Sequence, residues 1–307
     1  MIRHGWRRFR PSNVIRVVGP KRARTELWKQ AREQVHEMFP GRQIREDAFE
    51  SAIQSARNKA NSTNDPLWWC IALILQAPRA ASAQEQMDQH PHGYHNKQER
   101  LYELIDFNDT FVSAVLSLPS DQLTHFADEA KRAMDVFCKQ LRVRCFSNDQ
   151  FEAITHGLSR EIAVFRGVQA EGFDVHMTSR SEDALGIDMV ITDPRDGRSI
   201  NVDCKTRSAF YYRLKDLTRE GRLTTEQMAT AEDKGYAWVI NRDGSRDVRI
   251  ALWRIDEQTY GNIQNFSFDS TTPLAAKVEA MLRESTQFAF GEATLSASDG
   301  RSADILE

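Results

Sequence analysis

The chain has 307 residues, 40% of them hydrophobic and 28% charged, with a formal net charge of −3. That length suits one large or two ordinary domains with a sizeable core, and the balance excludes a uniformly basic nucleic-acid binder and a low-complexity chain. Four scattered cysteines, Cys70, Cys138, Cys145 and Cys204, lack C-x-x-C spacing and read as free thiols of a cytoplasmic protein.

In chain order, residues 1–24 form a basic arm with Arg3, Arg7, Arg8, Arg10, Arg16, Lys21, Arg22 and Arg24 and no acidic residue. It is read as a solvated terminus or a phosphate contact. Residues 25–140 read as helical. Thr25 is placed as the cap of a helix ending before Pro40-Gly41, and a second helix covers 44–62. Asp65-Pro66 opens an apolar helix, LWWCIALILQA, too short to span a bilayer, so no membrane association is expected. A polar link, AASAQEQMDQHPHGYHN, follows. Its His90, His92 and His95 lack a fourth ligand nearby and read as solvated rather than as a zinc site. Helices over 98–118 and 120–141 close this half.

A different pattern begins near Phe146. Asp149–Ala170 predicts a helix and Phe173–Met177 a strand. Ile187–Ile191 and Ser199–Lys205 predict two strands joined by Asp193-Pro-Arg-Asp-Gly197, a turn in which Pro194 fixes φ and Gly197 permits positive φ. Thr224 or Thr225 starts a helix ending at Lys234-Gly235. Tyr236–Ile240 and Asp247–Ile255 predict strands, and Pro273–Glu284 an amphipathic helix. The expected order is helix, three strands, helix, strand: a mixed sheet flanked by helices. The domains are expected at 1–145 (all-helical), 146–288 (mixed sheet) and 289–307 (disordered tail).

Chemistry concentrates at the paired strands. Asp188 lies near the start of one and Asp203-Cys204-Lys205 ends the other. Residues two apart on a strand share a face, so Lys205 projects beside Asp203 while Cys204 points away. Hard divalent cations take carboxylate oxygens, and a neighbouring ammonium stabilises charge on a phosphoryl transition state. The tripeptide alone is weak: Glu129-Ala130-Lys131 and Glu232-Asp233-Lys234 also match, but in predicted helices, where i and i+2 do not face each other. Read alone, Asp188 and Asp203 also suit turn caps paired with arginines, and Lys205 an exposed strand-end lysine.

With these residues the segment 149–241 resembles the PD-(D/E)XK nuclease superfamily, most of all its Mrr-like and Holliday-junction-resolvase-like restriction and recombination nucleases. The resemblance implies a restriction-endonuclease-like αβββαβ core. It implies catalytic Asp188, Asp203 and Lys205, with Glu161 of the first helix as third carboxylate. Mg²⁺ (or Mn²⁺) would be held by Asp188, Asp203, Glu161 and the Cys204 carbonyl, with Gln227 as an auxiliary on the second helix. The family's proline before the first Asp is Ile187 here. Arg207, Arg213 and Lys215, just past the lysine, are candidate phosphate contacts. The activity implied is hydrolysis of DNA by a metal-dependent endonuclease in restriction, phage defence or mobile-element processing. An RNA endonuclease and a non-catalytic nucleic-acid-binding module are the alternatives. The helical half is a candidate surface for DNA, a partner protein or a homodimer.

Overall fold

A computed structural model describes residues 20–41, 45–89, 98–178, 180–183, 185–243 and 245–298. The basic arm up to residue 19, the three histidines of the polar link and the last nine residues lie outside them.

Five long helices make the N-terminal half: α1 (Pro20–Met38), α2 (Glu46–Thr63), α3 (Pro66–Asp88), α4 (Gln98–Leu116) and α5 (Phe126–Leu141). Three boundaries differ from the sequence expectation. α1 starts at Pro20 rather than Thr25, since proline is preorganised for the first helical position. α3, capped by Asp65 accepting from Leu67 N at 2.9 Å, runs past Ala77 and Pro78 into the supposed polar link, because Ala80, Ala81 and Ala83 bury on that same helix. Ser120 opens only a short 3₁₀ turn. Its hydroxyl accepts from Arg166 at 3.0 Å instead of capping a helix, and α5 waits until Phe126.

The second half begins with α6 (Asn148–Ala170), started by a capping box in which Ser147 and Gln150 satisfy each other's backbone N–H groups. Next come β1 (Asp174–Met177), the short α7 (Arg180–Asp183), β2 (Met189–Thr192) and β3 (Ser199–Lys205). The β2–β3 turn is locked by Asp193, which is buried and accepts from Arg195 N at 2.9 Å, with Gly197 at φ 75°. Then follow α8 (Arg207–Arg219), α9 (Thr225–Lys234), β4 (Tyr236–Asp243), β5 (Arg246–Arg254), α10 (Glu257–Tyr260), the small hairpin β6 (Ile263–Gln264) and β7 (Ser267–Phe268), and α11 (Thr272–Ser298). α8 was not anticipated. Its apolar positions Phe210, Leu214 and Leu217 give the helical spacing, but arginines and tyrosines mask it. α11 continues to Ser298, past the Glu284 end that the sequence predicts.

The five strands order as β1-β2-β3-β5-β4. β1, β2 and β3 are antiparallel neighbours, β5 runs parallel to β3 with Asp203 opposite Leu252, and β4 pairs antiparallel at the edge. The strand beside β3 is thus β5, although β4 precedes it in the chain. β5 buries Ile250, Ala251, Leu252 and Trp253 in succession and takes an inner place, where both faces are covered; β4 ends in the exposed or half-exposed Ile240–Asp243 and takes the edge. The architecture is therefore a helical N-terminal region followed by a mixed five-stranded sheet.

α6 joins the two cores. Phe151, Leu158 and Ile162 pack into the helical core, while Ala163, Val164, Phe165 and Val168 pack on the sheet with α11. Gly167 lets Leu274 of α11 press against α6, where a Cβ would clash. α8 and α9 cover the opposite sheet face through Phe210, Leu214 and Ala231 against Ala237 and Leu252. Among the described residues no helix is long and apolar enough to cross a membrane.

Candidate active site

β3 alternates as its sequence predicts. Ile200, Val202 and Cys204 enter the core shared with α6 and α11, which leaves Asp203 and Lys205 together on the other face. The Lys205 ammonium donates to Asp203 Oδ1. The Asp203 side chain is 13% exposed and that of Lys205 32%, so the pair is sheltered but open to solvent on the lysine side.

Asp188 lies one residue before β2. Its N–H donates to Val202 O at 2.9 Å, and its Oδ2 accepts from Cys204 N at 2.6 Å. Three features aim it there. Gly186, at φ 83°, turns the chain out of α7, bringing its backbone close to Asp203 Oδ2 and Asn241. Asn241 Nδ2 then donates to Leu185 O at 2.7 Å, and the buried Thr178 hydroxyl donates to Ile187 O. Glu161, on α6, is joined to the group electrostatically.

The electrostatics tie these side chains together. Burial raises the Asp188 carboxyl well above the usual range, with Glu161 and Asp203 adding to the effect and Lys205 and the Cys204 N–H opposing it. Burial pushes Glu161 up to about 7 against the Lys205 charge, helped by Asp183, Asp203 and Asp109. Burial pulls the Lys205 ammonium down, but Asp188, Asp203 and Glu161 outweigh it, and its pKa stands above the ordinary lysine value. Cys204 stays a neutral thiol, held up by burial and then by Asp188.

Two carboxylates escaped the sequence reading. Asp183, on α7, is pushed up to about 6 by burial, with Asp203 adding and Lys205 opposing. Asp109 belongs to α4 of the helical half and acts on Glu161 because α4 packs on both α6 and α7. The signal available was an acid five residues before Asp188, and one lying between the apolar positions Phe107 and Phe111.

Other expected residues stand elsewhere. The Gln227 side chain closes the α9 capping box, its Oε1 accepting from Thr224 N at 2.8 Å. A glutamine three residues after a threonine N-cap is bound to the helix start by local geometry. Arg213 lies 3.9 Å from Glu220, so its charge is offset. Arg207 donates to Gln258 at 2.9 Å, and Lys215 lies 4.4 Å from the Tyr211 ring centroid.

Hard oxygen donors short of positive charge suit a hard divalent cation. Glu161 and Asp188, whose carboxyls are pushed toward the protonated form, have that chemistry. Among the described residues, no group of three or more His, Cys, Asp or Glu is gathered closely enough to hold one as it stands. Compared with known proteins, the chain matches no family model, no curated protein and no solved structure.

Proposed function

We propose that the chain is a Mg²⁺-dependent endonuclease that hydrolyses DNA phosphodiester bonds, on the plan of the PD-(D/E)XK nucleases it resembles. The observation that carries this reading is the Lys205–Asp203 pair at the end of β3, with Asp188 and Glu161 electrostatically joined to it. An ammonium paired with one carboxylate and acted on electrostatically by two more suits a site that accepts further positive charge, which is what a phosphoryl-transfer centre needs.

Asp188, Asp203 and Glu161 would hold Mg²⁺ or Mn²⁺, with the Cys204 carbonyl as a further ligand. When bound, such a cation supplies Lewis-acid stabilisation of the phosphate charge. The protein's own groups do the rest. Lys205 orients the attacking water and stabilises the charge that develops as water adds to phosphorus and the P–O bond breaks. Asp203 fixes the ammonium beside that position. The Cys204 N–H fixes Asp188. The sheltering of Asp203 limits competing water and strengthens these interactions. Restriction, phage defence or mobile-element processing in the cytoplasm is the setting that the resemblance suggests.

The test incubates the protein with plasmid DNA, single-stranded DNA and RNA, in Mg²⁺ and in EDTA. Mg²⁺-dependent DNA cleavage, lost in Lys205→Ala, is the expected result. Cleavage of RNA alone would make it a ribonuclease. Binding without metal-dependent cleavage would make it a non-catalytic module.

A further inference from the structure

The outward face of α8 is rich in aromatic and basic side chains. Arg207, Ser208, Tyr211, Tyr212, Lys215 and Arg219 are exposed, while Phe210, Leu214 and Leu217 bury the opposite side. Tyr212 is 65% and Tyr211 40% exposed, although tyrosines ordinarily bury much of the ring. The two rings are adjacent, with centroids 6.1 Å apart and planes tilted by 60°. Among the described residues neither Arg207 nor Lys215 forms an ion pair within 4.0 Å; Arg207 donates to Gln258, and Lys215 lies against the Tyr211 ring, with Glu232 acting on it only at longer range.

The position of this face matters as much as its chemistry. The helix is capped by Thr206, the residue directly after Lys205, so the row starts at the candidate site. Arg207, Tyr211 and Lys215 follow at i, i+4 and i+8 along one side of the helix and span about 12 Å at 1.5 Å per residue.

Resting on the endonuclease reading, we infer that this face is a binding track for unpaired DNA, which makes a single strand or single-stranded flap the substrate led to Lys205. Arg207 and Lys215 hold phosphates, and Tyr211 and Tyr212 stack on bases. Cations alone bind duplex and single strand alike. Exposed rings add affinity only where base faces are free, and duplex stacking hides those faces. The rings therefore decide the strand state.

The test measures binding by fluorescence anisotropy in EDTA, so that cleavage plays no part. The probes are a labelled oligothymidylate of about 12 nucleotides and a duplex of the same length. The full chain should bind the single strand more tightly. Tyr211→Ala/Tyr212→Ala should weaken that binding at least about fivefold, with little effect on the duplex, while Tyr211→Phe/Tyr212→Phe retains it. If the double alanine variant does not fold, Tyr212→Ala alone, at the more exposed ring, reads the same effect. Equal affinity for both probes, unchanged binding in the folded alanine variants, or an effect on oligomeric state in place of DNA binding would overturn the track. Failure of the nuclease reading looks different: single-strand binding by the tyrosines persists, with no Mg²⁺-dependent cleavage of any nucleic acid.

Discussion

The backbone N–H of Cys204 donates to Asp188 Oδ2 across 2.6 Å, so a main-chain group of β3 positions the carboxylate that precedes β2. Cys204 itself turns its thiol into the core, and its neighbours Asp203 and Lys205 face the site. One residue thus serves both sheet faces, by side chain on one and by N–H for the other.

This bond separates the structural from the chemical role of Asp188. Asp188→Asn keeps an oxygen for the Cys204 N–H and removes a charge that burial disfavours. Asp188→Ala leaves the N–H without its partner, which costs about 1–3 kcal/mol. Urea unfolding should place the alanine variant clearly below the asparagine variant, and both should lose Mg²⁺-dependent cleavage.

Glu161 gives a pH signature. Its carboxyl titrates at about 7 in the fold against an ordinary 4.5, so the folded chain holds a proton that the unfolded chain releases between those values. That contribution to stability is complete below about 4.5 and is lost as pH rises through about 7. Asp183 adds the same sign between 3.8 and about 6. In EDTA, thermal melts of Glu161→Gln should gain on the natural chain as pH rises from about 5 to about 8. A constant difference across that range would remove Glu161 from the buried cluster.

Asp109 extends the argument to the helical half. It raises Glu161 from α4, so Asp109→Asn should move the Glu161 transition to lower pH. The same melts, or carboxyl NMR titration of Glu161, would show it. No movement would mean that α4 does not reach the site electrostatically.

Lys205 is the counter-charge. Lys205→Met strips the ammonium from Asp203, Asp188 and Glu161, whose charged forms then oppose one another. Its melting temperature in EDTA should fall more at pH 8 than at pH 5, about where the carboxylates ionise. Its cleavage rate should drop by roughly 10²–10³, the scale for removing one transition-state charge donor.

Gln227 makes the opposite case. Thr224→Ala should cost about 1 kcal/mol by loss of the N-cap, and Gln227→Ala less, as only its reciprocal bond to Thr224 N goes. Cleavage per folded molecule should be unchanged in both. A selective loss of turnover in Gln227→Ala would return it to the site.

What the sequence by itself determined is local. The two-residue period of β3 put Asp203 and Lys205 on one face and Cys204 on the other. Ser147 and Gln150 started α6, Thr224 and Gly235 bounded α9, and Pro194 with Gly197 made the β2–β3 turn. These follow from dihedral preferences and hydrogen bonds a few residues apart, which composition and spacing reveal. The tertiary structure decided what depends on distant partners. It placed β5 rather than β4 beside β3, because burial on both faces selects the most continuously apolar strand. It brought Asp183 and Asp109 to Glu161 because α4, α6 and α7 pack together, and no spacing rule links residues 109, 161 and 183. It also perturbed the carboxyls themselves, since burial and neighbouring charge arise only once separate segments share a low-dielectric site.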